Sequence, residues 1–114
     1  MSKGIGDVIG RIVHVVIDRP QGSCHPKHKD LYYPVNYGYV QGVMAPDGEE
    51  QDAYVLGVSV PVTECIGRVI AVIHRFDDVE EKWVVAPEGV SFSKEEIARQ
   101  IAFQERFFQI EINM

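Results

Sequence analysis

Gly67-Arg68-Val69-Ile70-Ala71-Val72-Ile73-His74-Arg75-Phe76 is the clearest strand of the chain, a run dominated by β-branched residues. Moving outward toward the N-terminus, residues 52–58 and 37–44 read the same way, and Pro46-Asp47-Gly48 between them is a strong turn signal. Gly10-Arg11-Ile12-Val13-His14-Val15-Val16-Ile17-Asp18 is β-branched and too short for a helix; Arg19-Pro20 and Gly22-Ser23 close it. Toward the C-terminus, Lys82-Trp83-Val84-Val85-Ala86 makes a fifth strand. One helix follows. Ser93-Lys94-Glu95-Glu96 fits a capping box, with Ser93 as N-cap and Glu96 reaching back. Ile97, Ile101 and Phe108 then fall along one face, with Ala98 and Ala102 beside them. Strands first and a helix last predict a mainly β fold, a small barrel or highly curved sheet with the helix laid on it.

The length of 114 residues fits one domain, 1–114, with no repeat, low-complexity run or linker. An apolar fraction of 46% is that of an ordinary globular protein. The net charge of −6 argues against a nucleic-acid groove, which needs a basic footprint. Cys24 and Cys65 make no disulfide framework and no CxxC pair, so reduced thiols in a cytoplasmic protein are expected. Residues 1–6 lack the apolar region of a signal peptide, and no apolar run reaches the ~20 residues that span a bilayer. Neither nucleic acid nor membrane is expected as a partner.

The residues that carry chemistry stand in two places. Tyr33-Pro34-Val35-Asn36-Tyr37-Gly38-Tyr39 leads into Asp47-Gly48-Glu49-Glu50-Gln51-Asp52, and Asp77-Asp78-Val79-Glu80-Glu81-Lys82 forms a second acidic cluster. Carboxylate oxygens suit Mg²⁺, which keeps waters and shares itself with substrate phosphates. A bound cation also lets an acidic protein hold a polyanion. Asp47 sits at a turn, Asp52 opens a strand, and Asp77 and Glu80 lie between the fourth and fifth strands. If those strands are neighbours, both acidic loops open at one end of the sheet and share a pocket. Each cluster alone is also what a solvated turn looks like; the pair beside Tyr33 and Tyr37 points to function.

Cys24-His25-Pro26-Lys27-His28-Lys29 has too few ligands for a closed zinc site and reads as a polar, basic loop at the mouth of that pocket. His14 and His74 fall within strand patterns, where satisfied ring nitrogens are expected. Trp83, Phe76 and Tyr54 are expected to pack the barrel, since a base-stacking platform would be framed by a basic groove. Phe103, Phe107 and Phe108 exceed one core-facing stripe, which suggests a subunit interface and a homo-oligomer, with packing against the barrel the simpler alternative.

These motifs together resemble the family I soluble inorganic pyrophosphatases. That family carries a Tyr-Pro-x-Asn-Tyr-Gly segment, an Asp-Gly-Asp-Pro-x-Asp metal motif and an Asp…Asp-x-Lys cluster ahead of a Val-Ala-x-Pro-like strand. The similarity covers roughly residues 10 to 88, with three separated motifs in order. It implies a five-stranded barrel of the oligonucleotide/oligosaccharide-binding (OB) type with one C-terminal α-helix, Mg²⁺ as cofactor and hydrolysis of pyrophosphate. Asp47 and Asp52 match metal ligands, and Glu49 replaces an aspartate that helps activate the attacking water. Asp77 matches a third ligand, Glu80 replaces a fourth, and Lys82 matches a phosphate-binding lysine. Tyr37 matches a tyrosine that hydrogen-bonds within the site, and Asp18 replaces a glutamate. The family's long connection after the first strand is cut to a tight basic loop, in which Lys27 and Lys29, with Arg19 nearby, stand in for its cations. Its C-terminal Tyr-Lys pair would fall near Phe108-Gln109, where neither side chain grips phosphate.

The expected protein is thus a Mg²⁺-dependent hydrolase of inorganic pyrophosphate, with Asp47 and Glu49 catalytic, Asp47, Glu49, Asp52, Asp77 and Glu80 holding metal, and Asp18, Lys27, Lys29, Tyr37 and Lys82 binding substrate. Two alternatives stay open at this level. The shortened loop also suits an organic, nucleotide-type diphosphate, and the aspartate-to-glutamate exchanges suit a non-catalytic descendant that binds metal or phosphate.

Overall fold

A computed structural model describes residues 8–77 and 80–114; the N-terminal segment read above for a leader and Asp78 and Val79 of the second acidic cluster lie outside the described residues. The elements follow as β1 (Ile12–Arg19), β2 (Asn36–Met44), β3 (Glu50–Val55), β4 (Glu64–Arg75), β5 (Glu81–Ala86), α1 (Lys94–Glu105) and β6 (Ile110–Asn113). The sheet runs β1-β2-β3-β5-β4-β6, and an additional β1–β4 pairing closes the first five strands into a barrel. All pairs are antiparallel except β3 with β5. This is the OB-type barrel with a C-terminal helix that the sequence leads one to expect.

Strand β4 makes closure feasible. It is 12 residues long, and its register shifts between Val69 and Ala71. A bulge bends a strand and increases its twist. The half from Glu64 to Arg68 pairs with β1, while Val72 to Arg75 pairs with β6. Strand β6 is the element that reading the sequence leaves out. Its Ile110-Glu111-Ile112 alternation is strand-like but spans too few residues to stand without its partner.

Two apolar layers result. Inside the barrel, Val15, Val40, Ala53, Val55, Val69, Trp83 and Val85 pack together. On the outer face, Tyr54, Leu56, Ala71, Ile73 and Val84 meet Ile97 and Ile101 of α1. The central strands are therefore buried on both faces, which is why they read as continuous apolar runs. Ser93 caps α1, accepting from the Glu96 amide while the Glu96 side chain accepts from the Ser93 amide. The third residue of the buried helical stripe is Glu105, not Phe108, which lies beyond the helix.

Two residues of the Tyr-Pro segment have plain structural tasks. A Cβ on Gly38 would sit 1.8 Å from the Val16 carbonyl oxygen, so only glycine lets β1 and β2 approach. Asn36 is fully buried; its Oδ1 accepts from the amides of Gln21 and Val62, and its Nδ2 donates to the Val58 and Val60 carbonyls. It ties the loop after β1 to the loop before β4. Among the other aromatics, Trp83 and Tyr54 are buried as expected, but Phe76 is 60% exposed at the end of β4. His14 and His74 find carboxylate partners in Glu64 and Glu81.

Candidate functional site

The site forms on the outer face of the barrel, beside the end of α1. In the β2–β3 ladder Tyr37 pairs with Tyr54, and in the parallel β3–β5 ladder Ala53 pairs with Trp83. One step back along both strands, Asp52 and Lys82 stand side by side. Lys82 is 4% exposed, and its Nζ donates to Asp52 Oδ2 at 2.5 Å, to Glu80 Oε1 at 2.9 Å and to the Tyr37 hydroxyl at 3.1 Å. Burial works against the ammonium charge, but Tyr37, Asp52 and Glu80 outweigh it and hold the Lys82 pKa above its ordinary value. The Tyr37 phenol is pushed up as well, mainly by burial. Both carry a proton at neutral pH.

A second buried pair abuts the first. Arg75, the last residue of β4, makes two parallel bonds to Glu105: Nε to Oε1 at 2.9 Å and Nη2 to Oε2 at 2.7 Å. Its Nη1 lies 3.5 Å from Glu80, and the Phe108 ring stacks on the guanidinium, 3.7 Å from centroid to Cζ. Tyr54 donates to Glu105 at 2.5 Å and accepts from Gln104 Nε2 at 2.7 Å, while Gln104 Oε1 accepts from Tyr33 at 3.1 Å. One hydrogen-bonded floor thus runs from Tyr33 through Gln104, Tyr54, Glu105, Arg75 and Glu80 to Lys82 and Asp52. Its links are charged or fully donated, so the floor is rigid.

Above this floor is a cleft of about 700 Å³. Strand β1 supplies Asp18 and Arg19, the loop after it supplies His25, His28 and Asp30, and the end of α1 supplies Gln104 and Arg106. Burial raises the Asp18 carboxyl above its usual range despite Arg19, and the Asp52 charge adds to the rise. Beside the cleft lies a small depression lined by Asp47, Glu50, Asp52, Glu80 and Glu81. Asp52 belongs to both.

The donors of that depression are carboxylates without exception, the ligand type a hard divalent cation takes. Among the described residues no three ligand-type side chains converge on one point as they stand; Asp52 and Glu80 instead neutralise Lys82. The donor set fits such an ion in kind.

No family model matches the chain. An inorganic pyrophosphatase of Bacillus sp. strain PS3 is 34% identical over 88 residues, covering 62% of this chain and 53% of that protein. The chain is similar to an inorganic pyrophosphatase over that stretch. It spans about half the length of that curated relative. Solved structures share the fold at lower identity. The inorganic pyrophosphatase of Ehrlichia chaffeensis superposes with a TM-score of 0.68 at 21% identity, over 90% of this chain and 85% of that one. Those of Neisseria gonorrhoeae (TM-score 0.65, 22% identity, 86% and 74%) and Thermus thermophilus (0.64, 18%, 99% and 86%) agree.

Of the residues singled out by likeness to the pyrophosphatases, the fold gathers Asp18, Tyr37, Asp52 and Lys82 in the cleft, and Asp47, Asp52 and Glu80 in the depression. The others lie apart. Glu49 is exposed on the turn that Asp47 caps by accepting its amide. Asp77 Oδ1 accepts from the Gln109 amide and lines neither pocket. Lys27 and Lys29 are exposed outside the cleft lining, where the loop presents His25 and His28 instead. Near the C-terminus, the cleft takes Gln104, Arg106, Phe107 and Phe108 but not Gln109. Arg75, Glu105 and Arg106 are the residues the pyrophosphatase pattern does not reveal. A signal for two of them exists: Glu105 follows Ile97 and Ile101 at intervals of four, and Arg75 ends the most apolar strand. A charge on a buried stripe requires a buried partner.

Proposed function

We propose that the chain is a Mg²⁺-dependent hydrolase of inorganic pyrophosphate. The observation that carries this reading is the sharing of Asp52 between a depression whose polar side chains are all carboxylates and a cleft floored by Lys82 and Arg75. A metal seat and a phosphate seat that meet at one side chain are what metal-assisted phosphoryl transfer needs. Asp47, Asp52 and Glu80 hold the ion, with Glu49 on the adjoining turn orienting the attacking water. When bound, Mg²⁺ supplies positive charge to phosphate oxygens and acidifies a water.

The chain's own residues account for the rest. Lys82 is buried, fixed by three partners and protonated, so it presents charge to the leaving phosphate without reorganising. Tyr37, held neutral, orients that ammonium and donates to phosphate. Asp52 stands between Lys82 and the depression, so the same carboxylate neutralises the ammonium and would contact a cation seated there. Asp18, near Asp52, extends the acidic edge.

A second reading keeps the chemistry and enlarges the substrate. The cleft volume falls within the ~300–1,000 Å³ typical of organic-ligand sites, and Phe107, 64% exposed, offers a face for a base or another flat group. Phosphate release from pyrophosphate and from a panel of nucleoside diphosphates, with Mg²⁺ and with chelator, separates the two readings. Metal-dependent release from pyrophosphate above all organic substrates is expected, and Asp52→Asn should lower it by at least ~100-fold. No release from any substrate with Mg²⁺, Mn²⁺ or Zn²⁺ would leave a non-catalytic binding protein.

A further inference from the structure

We infer that Arg19, aided by Arg106, forms a second anion-binding pole of the cleft, separate from Lys82, and takes a phosphate group there. This rests on the cleft being the substrate site proposed above.

The cations of the cleft differ in how their charge is paired. Lys82 is matched by Asp52 and Glu80, and Arg75 by Glu105 and Glu80. Both cations of the floor are therefore committed before any ligand arrives. Among the described residues Arg19 meets one carboxylate, that of Asp18 at 3.8 Å, and also the Asp18 carbonyl at 3.2 Å and the Tyr33 hydroxyl. Arg106 meets no carboxylate among the described residues; its guanidinium lies 4.9 Å from the Phe107 ring centroid.

The guanidinium fork of Arg19 is incomplete. Its Nε is shielded from solvent and has no hydrogen-bond partner among the described residues. A buried donor left unpaired is costly and uncommon. A tetrahedral anion is the ligand that accepts two parallel bonds from a guanidinium edge, and it would complete this one.

A bulge aims Arg19 at the cleft. In a regular strand Asp18 and Arg19 would point to opposite faces. The register with β2 shifts between Ile17 and Arg19, so that Ile17 pairs with Gly38 and Arg19 with Tyr37. This bulge brings both side chains to the cleft lining, and bulges beside sites re-aim side chains in this way. Gly38, where no Cβ fits, is the residue against which the bulge closes. The guanidinium also lies beside the Tyr33 hydroxyl, whose ring packs 5.7 Å from that of Tyr37, the phenol that Lys82 touches. A diphosphate then has a cation at each end.

Calorimetric titration with methylenediphosphonate and with inorganic phosphate tests this, with and without Mg²⁺. Arg19→Gln is expected to weaken methylenediphosphonate binding at least ~10-fold, and Arg106→Gln by a smaller factor. Arg19→Lys keeps the charge but not the fork and should lie between Arg19→Gln and wild type. Arg68→Gln, whose parent pairs with Glu88 outside the cleft, should bind within twofold of wild type. Arg19→Gln and Arg19→Lys both binding within twofold of wild type would overturn the inference, as would failure of the wild-type protein to bind either anion at millimolar concentration. If the anion binds in an Arg19-dependent way but pyrophosphate is not hydrolysed, the hydrolase reading fails and this pole stands. If pyrophosphate is hydrolysed with an unchanged KM in Arg19→Gln, the pole fails and the hydrolase reading stands.

Discussion

Gly38 shows how one residue's lack of a side chain sets the geometry of the site. The β1 backbone passes so close that an added methyl would overlap the Val16 carbonyl oxygen, a backbone atom that cannot swing aside. Gly38→Ala must therefore pry β1 from β2 and should destabilise the protein by at least ~3 kcal/mol, read as a lower urea midpoint. A stability within ~0.5 kcal/mol of wild type would mean that the strands do not approach as described. Asp52 acts at the same scale through charge. It pairs with Lys82 and is the carboxylate shared by the two pockets, so under the proposed function Asp52→Asn should weaken Mg²⁺ binding in calorimetry as well as turnover. Unchanged metal affinity would remove it from the metal seat.

At the scale of elements, the helix is held by its cap at one end and by an ion pair at the other. Ser93→Ala removes the side chain that accepts from the Glu96 amide and should cost ~1 kcal/mol. At the far end, Arg75 and Glu105 have side chains only 6% and 1% exposed. Glu105→Leu strands a buried guanidinium and should cost ~3–5 kcal/mol. The double variant Arg75→Met/Glu105→Leu removes both charges and should cost less than Glu105→Leu alone. Chemical denaturation of Arg75→Met, Glu105→Leu and the double variant measures the coupling, and additive losses would contradict a direct pair. Glu80 touches the same arginine, so the variants should also alter turnover by releasing one side of Lys82.

For the whole molecule, the two-layered core buries Tyr54 and most of Tyr37, and burial raises both phenols above their ordinary value of 10.0, with Glu105 adding to the effect on Tyr54 and Asp52 to that on Tyr37. A group with a raised folded pKa binds its proton more tightly when folded. Its contribution is full below the unfolded pKa and is lost as pH climbs past it. Stability should therefore fall from about pH 10 upward, and the tyrosinate absorbance of Tyr37 and Tyr54 should appear together with unfolding. Ionisation of all five tyrosines while the circular dichroism stays native would refute this burial. Barrel, strand order of appearance, capped helix and the cluster of Asp52, Tyr37 and Lys82 were legible in the sequence, because β-branched runs, turn residues, a capping box and motif order are local facts. The sequence also holds, unread, the periodic position of Glu105. Three things were decided by tertiary structure alone. Strand β6 exists because β4 offers an edge beyond the barrel. Arg19 reaches the cleft because a bulge breaks the alternation that would have turned it away. The helix end, not the basic loop's lysines, supplies Gln104 and Arg106, because a barrel buried on both faces gives no sequence sign of which face α1 will cover.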